Sequence, residues 1–163
     1  MALRLFYFLV FISFHLAAQS PRVLKKATKL IEKTYAVDDI QLEYKEFQTK
    51  SVVGNFYKIT DSDKLLGFAF LGTAPSKTDT FEYLVVFDQS LIIKKVNVLV
   101  YREDYGGEIG SNRWLKQFVG KARSTELAVG KNIAAISGAT ISVYSMTNAV
   151  NQLLNEMNPF EQI

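Results

Sequence analysis

The run Ser137-Gly138-Ala139-Thr140, followed at once by Ile141 and Ser142, stands directly ahead of a stretch with helical periodicity. Small residues and hydroxyls at a helix start suit a phosphate. The first-turn N–H groups have no intrahelical partner, the helix dipole adds partial positive charge, and Gly138 lets a ligand come close to the backbone. On this reading a phosphate sits at Thr140, cradled by the amides of Gly138, Ala139, Thr140, Ile141 and Ser142 and by the hydroxyls of Ser137 and Ser142. The preceding segment, Asn132 to Ile136, holds no carboxylate, so the site is expected to carry no negative charge that would oppose an anion. The plainer role for the same residues is an ordinary helix cap at Ser137 or Thr140.

The elements that must position this segment are legible around it. From Ile141 onward, apolar or small residues recur at Tyr144, Thr147, Val150, Leu153, Leu154 and Met157, which predicts one buried helix face, stopped by Asn158-Pro159. Upstream, Trp114 to Val119 has a helical pattern with Trp114, Leu115 and Phe118 facing in, and Lys121 to Asn132 reads as a polar loop. Before that lies a β-rich middle. Strands are expected at Ile40–Phe47, Phe56–Ile59, Leu65–Leu71, Thr80–Phe87 and Leu91–Tyr101, with turns at Asp61-Ser62-Asp63 and Asp88-Gln89-Ser90. Gly72 to Asp79, with Pro75, is expected to be a polar loop, as is Arg102 to Gly107. Short links between sequential strands argue for an antiparallel meander in an α+β fold. Ser20-Pro21 supplies N-cap and N1 of a first helix that buries Val23, Ala27, Leu30, Ile31 and Tyr35. Its other face carries Arg22, Lys25, Lys26, Lys29 and Lys33, either solvated or near anionic headgroups or an acidic partner.

Composition narrows the chemistry sharply. Cysteine is absent from the 163 residues, and the only histidine is His15. No disulfide, thiolate-held iron–sulfur cluster, Ser-His pair or His-based metal site can be built downstream of it, so no metal is expected and any redox chemistry must come from a bound organic cofactor. Asp61, Asp63, Asp79 and Asp88 fall in turns, where carboxylates are common, and form no evident catalytic pair; no catalytic residue is assigned. The net charge of +3 is too weak to suggest nucleic acid.

Residues 1–18 have the make-up of an export signal: Arg4 gives a positive start, Leu5 to Leu16 is almost wholly apolar, and Ala17-Ala18 offers small residues for cleavage before Gln19. The apolar run is short of the roughly 20 residues that span a bilayer, which favours cleavage over a retained anchor. Export to the periplasm or the outer face of the cytoplasmic membrane is expected, with residues 19–163 as one domain.

The run Ser137-Gly138-Ala139-Thr140 with the following Ser142 resembles the attachment motif of the FMN-binding domain family, which includes the periplasmic flavin-carrying subunits of the sodium-pumping NADH:quinone reductase and of the Rnf electron-transport complex. The order of the preceding parts is similar too: Tyr83 to Asp88, Val96 to Tyr101, the loop Tyr105-Gly106-Gly107-Glu108, then Trp114 to Lys121 ending in Gly-Lys. The resemblance covers about Thr80 to Leu154. It implies FMN, joined by a flavin transferase through a phosphoester to Thr140, and an electron carrier more than a stand-alone enzyme, with envelope or membrane redox proteins as partners. It also implies that Tyr105, Gly106, Gly107, Glu108 and Trp114 meet the motif near the isoalloxazine ring. For the glycines a tight turn needing positive φ is the alternative; for Trp114 it is core packing; for Glu108 it is a solvated or capping carboxylate. Where the family carries an acidic residue three positions before the Ser, this chain has Ala134, so both esterified and noncovalent FMN fit the resemblance. The alternative function is a nonredox ligand- or protein-binding module on the same fold. A nicotinamide-dependent flavin reductase is disfavoured, since no Gly-x-Gly-x-x-Gly follows a strand.

Overall fold

The structure is a computed structural model that describes residues 20–47 and 50–157. The expected export signal and the Asn158-Pro159 stop lie outside the described residues. The first helix, α1, is Pro21–Tyr35. Strands β1 (Gln41–Lys45), β2 (Val53–Asp61), β3 (Lys64–Pro75), β4 (Thr80–Asp88) and β5 (Ile93–Val100) follow, then α2 (Asn112–Leu115) and α3 (Thr140–Glu156), with short 3-10 turns at Gly107–Gly110 and Lys116–Phe118. The five strands pair antiparallel in sequence order. The fold is α+β, a meander with helices on both faces.

The two faces follow from the alternation of side chains along each strand. Phe68 and Phe70 of β3 and Phe81, Tyr83, Val85 and Phe87 of β4 point to the side covered by Val143, Met146, Val150, Leu153 and Leu154 of α3, with Trp114, Leu115 and Phe118 completing it. Ala69, Leu71, Leu84 and Val86 point the other way, onto Val23, Ala27 and Ile31 of α1. A central strand buried on both faces reads as a near-continuous apolar run, which is what Phe81 to Phe87 is. Tyr35 ties α1 to the sheet: its hydroxyl donates to the Phe87 carbonyl at 2.6 Å.

Three expectations need correction. Gly72 to Pro75 are not loop but the last rungs of β3, paired with Tyr83, Glu82, Phe81 and Thr80 of β4. Proline is tolerated there because it is the terminal residue of the strand. β5 starts at Ile93 rather than Leu91, since Leu91 has φ +60° inside the turn. The phase of the last helix also differs in its first two turns: Ile141 and Tyr144 are each 50% exposed, while Ser142, Val143 and Met146 face the core.

Candidate functional site

The end of β5 and the start of α3 meet at one edge of the sheet. Gly138 has φ +78° and Ala139 forms the N-cap, yet α3 has no side-chain cap and no acidic residue in its first turn. α1 and α2, by contrast, are capped by Ser20 and Ser111. The Thr140 side chain is exposed. Its surroundings form an open cleft of about 410 Å3 lined by Lys77, Tyr101, Glu103, Tyr105 and residues Gly138 to Ser142. That size falls within the roughly 300–1,000 Å3 of small-molecule sites.

The loop after β5 is staked from below. Arg102 makes a two-pronged ion pair with Glu82, at 2.8 and 2.7 Å, and donates to the Thr80 carbonyl at 2.8 Å; the Glu82 carboxylate holds the Arg102 guanidinium above its ordinary pKa. Glu103, next along, accepts from the Thr78 amide (2.7 Å), the Thr78 hydroxyl (2.9 Å) and the Asp79 amide (3.3 Å). The Ser76 hydroxyl lies nearby but is outside hydrogen-bond geometry, and with it these three donors hold the Glu103 carboxyl down to about 2. The β3–β4 loop is thereby clipped to the segment that carries Tyr101 and Tyr105.

Of the residues expected to bind a cofactor, Gly138, Ala139, Thr140, Ile141, Ser142 and Tyr105 line this cleft. The Ser142 hydroxyl is buried and pairs with the Tyr101 hydroxyl at 3.0 Å, so it orients Tyr101 instead of standing open to a ligand. Gly106, at φ +76°, lies under Ala139; a Cβ there would come 2.5 Å from that of Ala139. Both the positive φ and the close approach require glycine, and the close partner is Ala139 of the motif itself. Gly107 has no such neighbour and opens a 3-10 turn.

Ser137, Glu108 and Trp114 face a second cleft, of about 560 Å3, on the other side of the loop. Trp114 is only 4% exposed, packs edge-on against Phe118, and donates from Nε1 to the Ala134 carbonyl at 2.7 Å. Gln117 accepts from the Ala134 amide at 2.8 Å. Trp114 is therefore a core residue that grips the backbone leading to the motif. Lys77, Tyr101 and Glu103 were not singled out by sequence reasoning. The expectation of a site without carboxylate is corrected: Glu103 lines it, but its oxygens are engaged by Thr78 and Asp79.

An uncapped helix start, an exposed threonine hydroxyl and tyrosine walls are features that suit a ligand carrying a phosphate. The family model described as the FMN-binding domain matches residues 77–155. That part of the chain is an FMN-binding domain, and FMN is its cofactor. No curated protein matches the chain. The residues present fit the group: free first-turn amides and a lysine suit the phosphate, and Tyr105 (80% exposed), Ile141 and Tyr144 offer uncovered apolar surface to a planar ring.

Proposed function

We propose that this protein is an exported flavoprotein that relays electrons through FMN, the cofactor held by a phosphoester to the Thr140 hydroxyl. The observation that carries the reading is the exposed Thr140 at the one α-helix start, among the described residues, that no side chain caps. FMN, when bound, supplies reversible one- and two-electron chemistry. The chain's own residues do the holding. The amides of Thr140, Ile141 and Ser142 would hold the phosphate, and the dipole of α3 would favour its charge. Tyr105 and Ile141 would flank the ring, and Tyr101, fixed by Ser142, lines the cleft wall. Trp114 and Gln117 fix the approach of the motif through Ala134.

The same chemistry accounts for a carrier role. A cofactor esterified to the chain cannot diffuse away, which suits work outside the cytoplasm. The open cleft leaves the ring near the surface, where envelope or membrane redox proteins can reach it. Residues 1–18 provide the export signal. A flavin transferase is the maturation partner.

Intact mass of protein made with and without a flavin transferase tests the linkage. The expected result is one added FMN in the wild type and none in Thr140→Ala. FMN retained by Thr140→Ala after denaturation would remove the ester, and colourless wild-type protein from the transferase-containing host would remove the carrier.

A further inference from the structure

Charge balance in the cleft singles out a residue that the motif does not contain. A phosphate esterified to Thr140 keeps one negative charge, and a free FMN phosphate about one and a half to two. The start of α3 offers the equivalent of about half a positive charge. At least half a charge is left to neutralise. Among the residues lining the cleft, Lys77 is the one cation and Glu103 the one carboxylate. The two have different commitments. Glu103 accepts three hydrogen bonds from Thr78 and Asp79. Lys77 has no hydrogen bond or ion pair to any described residue. Its loop is nevertheless fixed, because the residue next to it is the one Glu103 clips, through both its amide and its hydroxyl.

Resting on the FMN site proposed above, we propose that Lys77 is the counter-ion of the cofactor's phosphate, and that Glu103 is a positioning residue that holds the Lys77 loop at the cleft. An ammonium on a flexible stem suits this role, since it reaches a phosphate as a point charge without demanding one fixed geometry. Because Lys77 is exposed, its replacement leaves the core untouched.

The test titrates the full chain, without transferase, with FMN and separately with riboflavin, following flavin fluorescence. Lys77→Met is expected to weaken FMN about tenfold and leave riboflavin unchanged, with the FMN deficit shrinking at high salt. Lys77→Arg should restore most of the affinity. Glu103→Gln should weaken FMN by a smaller factor, again sparing riboflavin. Lys29→Met, on the opposite face of the sheet, controls for net charge. In protein carrying esterified FMN, Lys77→Met should also shift the cofactor's phosphorus NMR resonance. Equal losses for both ligands, no loss for either, or an unmoved phosphorus resonance would each overturn the proposal. A wild type that takes up FMN in neither form would instead sink the site reading on which it stands.

Discussion

Helices α1 and α3 begin on opposite faces of one sheet and complete their first turns in different ways. At α1, the Ser20 hydroxyl accepts from the Val23 amide at 3.3 Å, and Pro21 at N1 has no N–H to satisfy. At α3, Ala139 stands at the cap, with no side-chain oxygen to offer, and the first turn carries no acid. First-turn amides that no side chain caps are left to water or to a ligand, so the open start of α3 is where an anion can be received. This difference is what the proposed FMN site rests on: α1 closes its own end and α3 keeps its donors free.

The sharpest way to break that contrast is to close α3 with a charge. Thr140→Asp is expected to remove esterified FMN completely, because the hydroxyl is gone and a carboxylate occupies the anion's place. The same change should stabilise the flavin-free protein by about 0.3–1 kcal/mol through the helix dipole. Thermal melts and flavin absorbance on one sample check both signs. A variant that loses flavin and stability together would mean that the first turn was packed for structure.

The two faces of the sheet can be compared next. Trp114→Ala removes a buried indole and the donor that holds the Ala134 carbonyl, so it should cost about 3–5 kcal/mol and also lower flavin loading per folded molecule. Ile31→Ala on the α1 face should cost about 2–5 kcal/mol and leave loading per folded molecule unchanged. Equal effects on loading from both would erase the functional distinction between the faces. Ser20→Ala probes the capped helix alone: a loss of about 1 kcal/mol in a denaturant titration is expected, with no change in flavin content.

How far the sequence discloses these features depends on the range of the interaction that creates each. The meander is readable because its causes are local: β-branched and aromatic runs, and turns such as Asp88, whose Oδ1 accepts from the amides of Ser90 and Ile92 at 2.9 Å. Ser20-Pro21 is readable for the same reason. The extension of β3 through Gly72 to Pro75 is not. Gly72 looks like a loop residue, yet it is required because the Tyr83 ring lies over it, and a Cβ there would come 2.3 Å from that ring. The phase of early α3 departs from the apolar pattern because Ile141 and Tyr144 line or border a cleft instead of filling the core. Thr140 and its neighbours were legible as a contiguous string. Lys77 and Glu103 come to the same cleft from separate loops, through the contact of Thr78 with Glu103 across 25 positions of chain, and no local pattern announces it.

The Glu103 clip gives the smallest expected effect, and its sign can be fixed. Its carboxyl sits near 2 in the folded protein, held down by the hydroxyl and amide donors of the β3–β4 loop, against about 4.3 in an unfolded chain. Between those values the unfolded chain takes up a proton first. The clip's contribution is therefore complete above about pH 5 and drains away as the pH falls toward 2. Because the group is exposed, solvent screens the contribution. Comparing wild type with Glu103→Gln isolates it from the other carboxylates: the difference in melting temperature should be present at pH 6 and shrink steadily toward pH 2. A difference that stays constant over that range would show that the carboxylate's charge has no part in holding the β3–β4 loop. The capped start of α1 has no titrating group in its cap, so a Ser20→Ala difference should stay flat over the same range. That contrast separates a loop held by charge near the α3 cleft from a helix end held by a neutral hydroxyl.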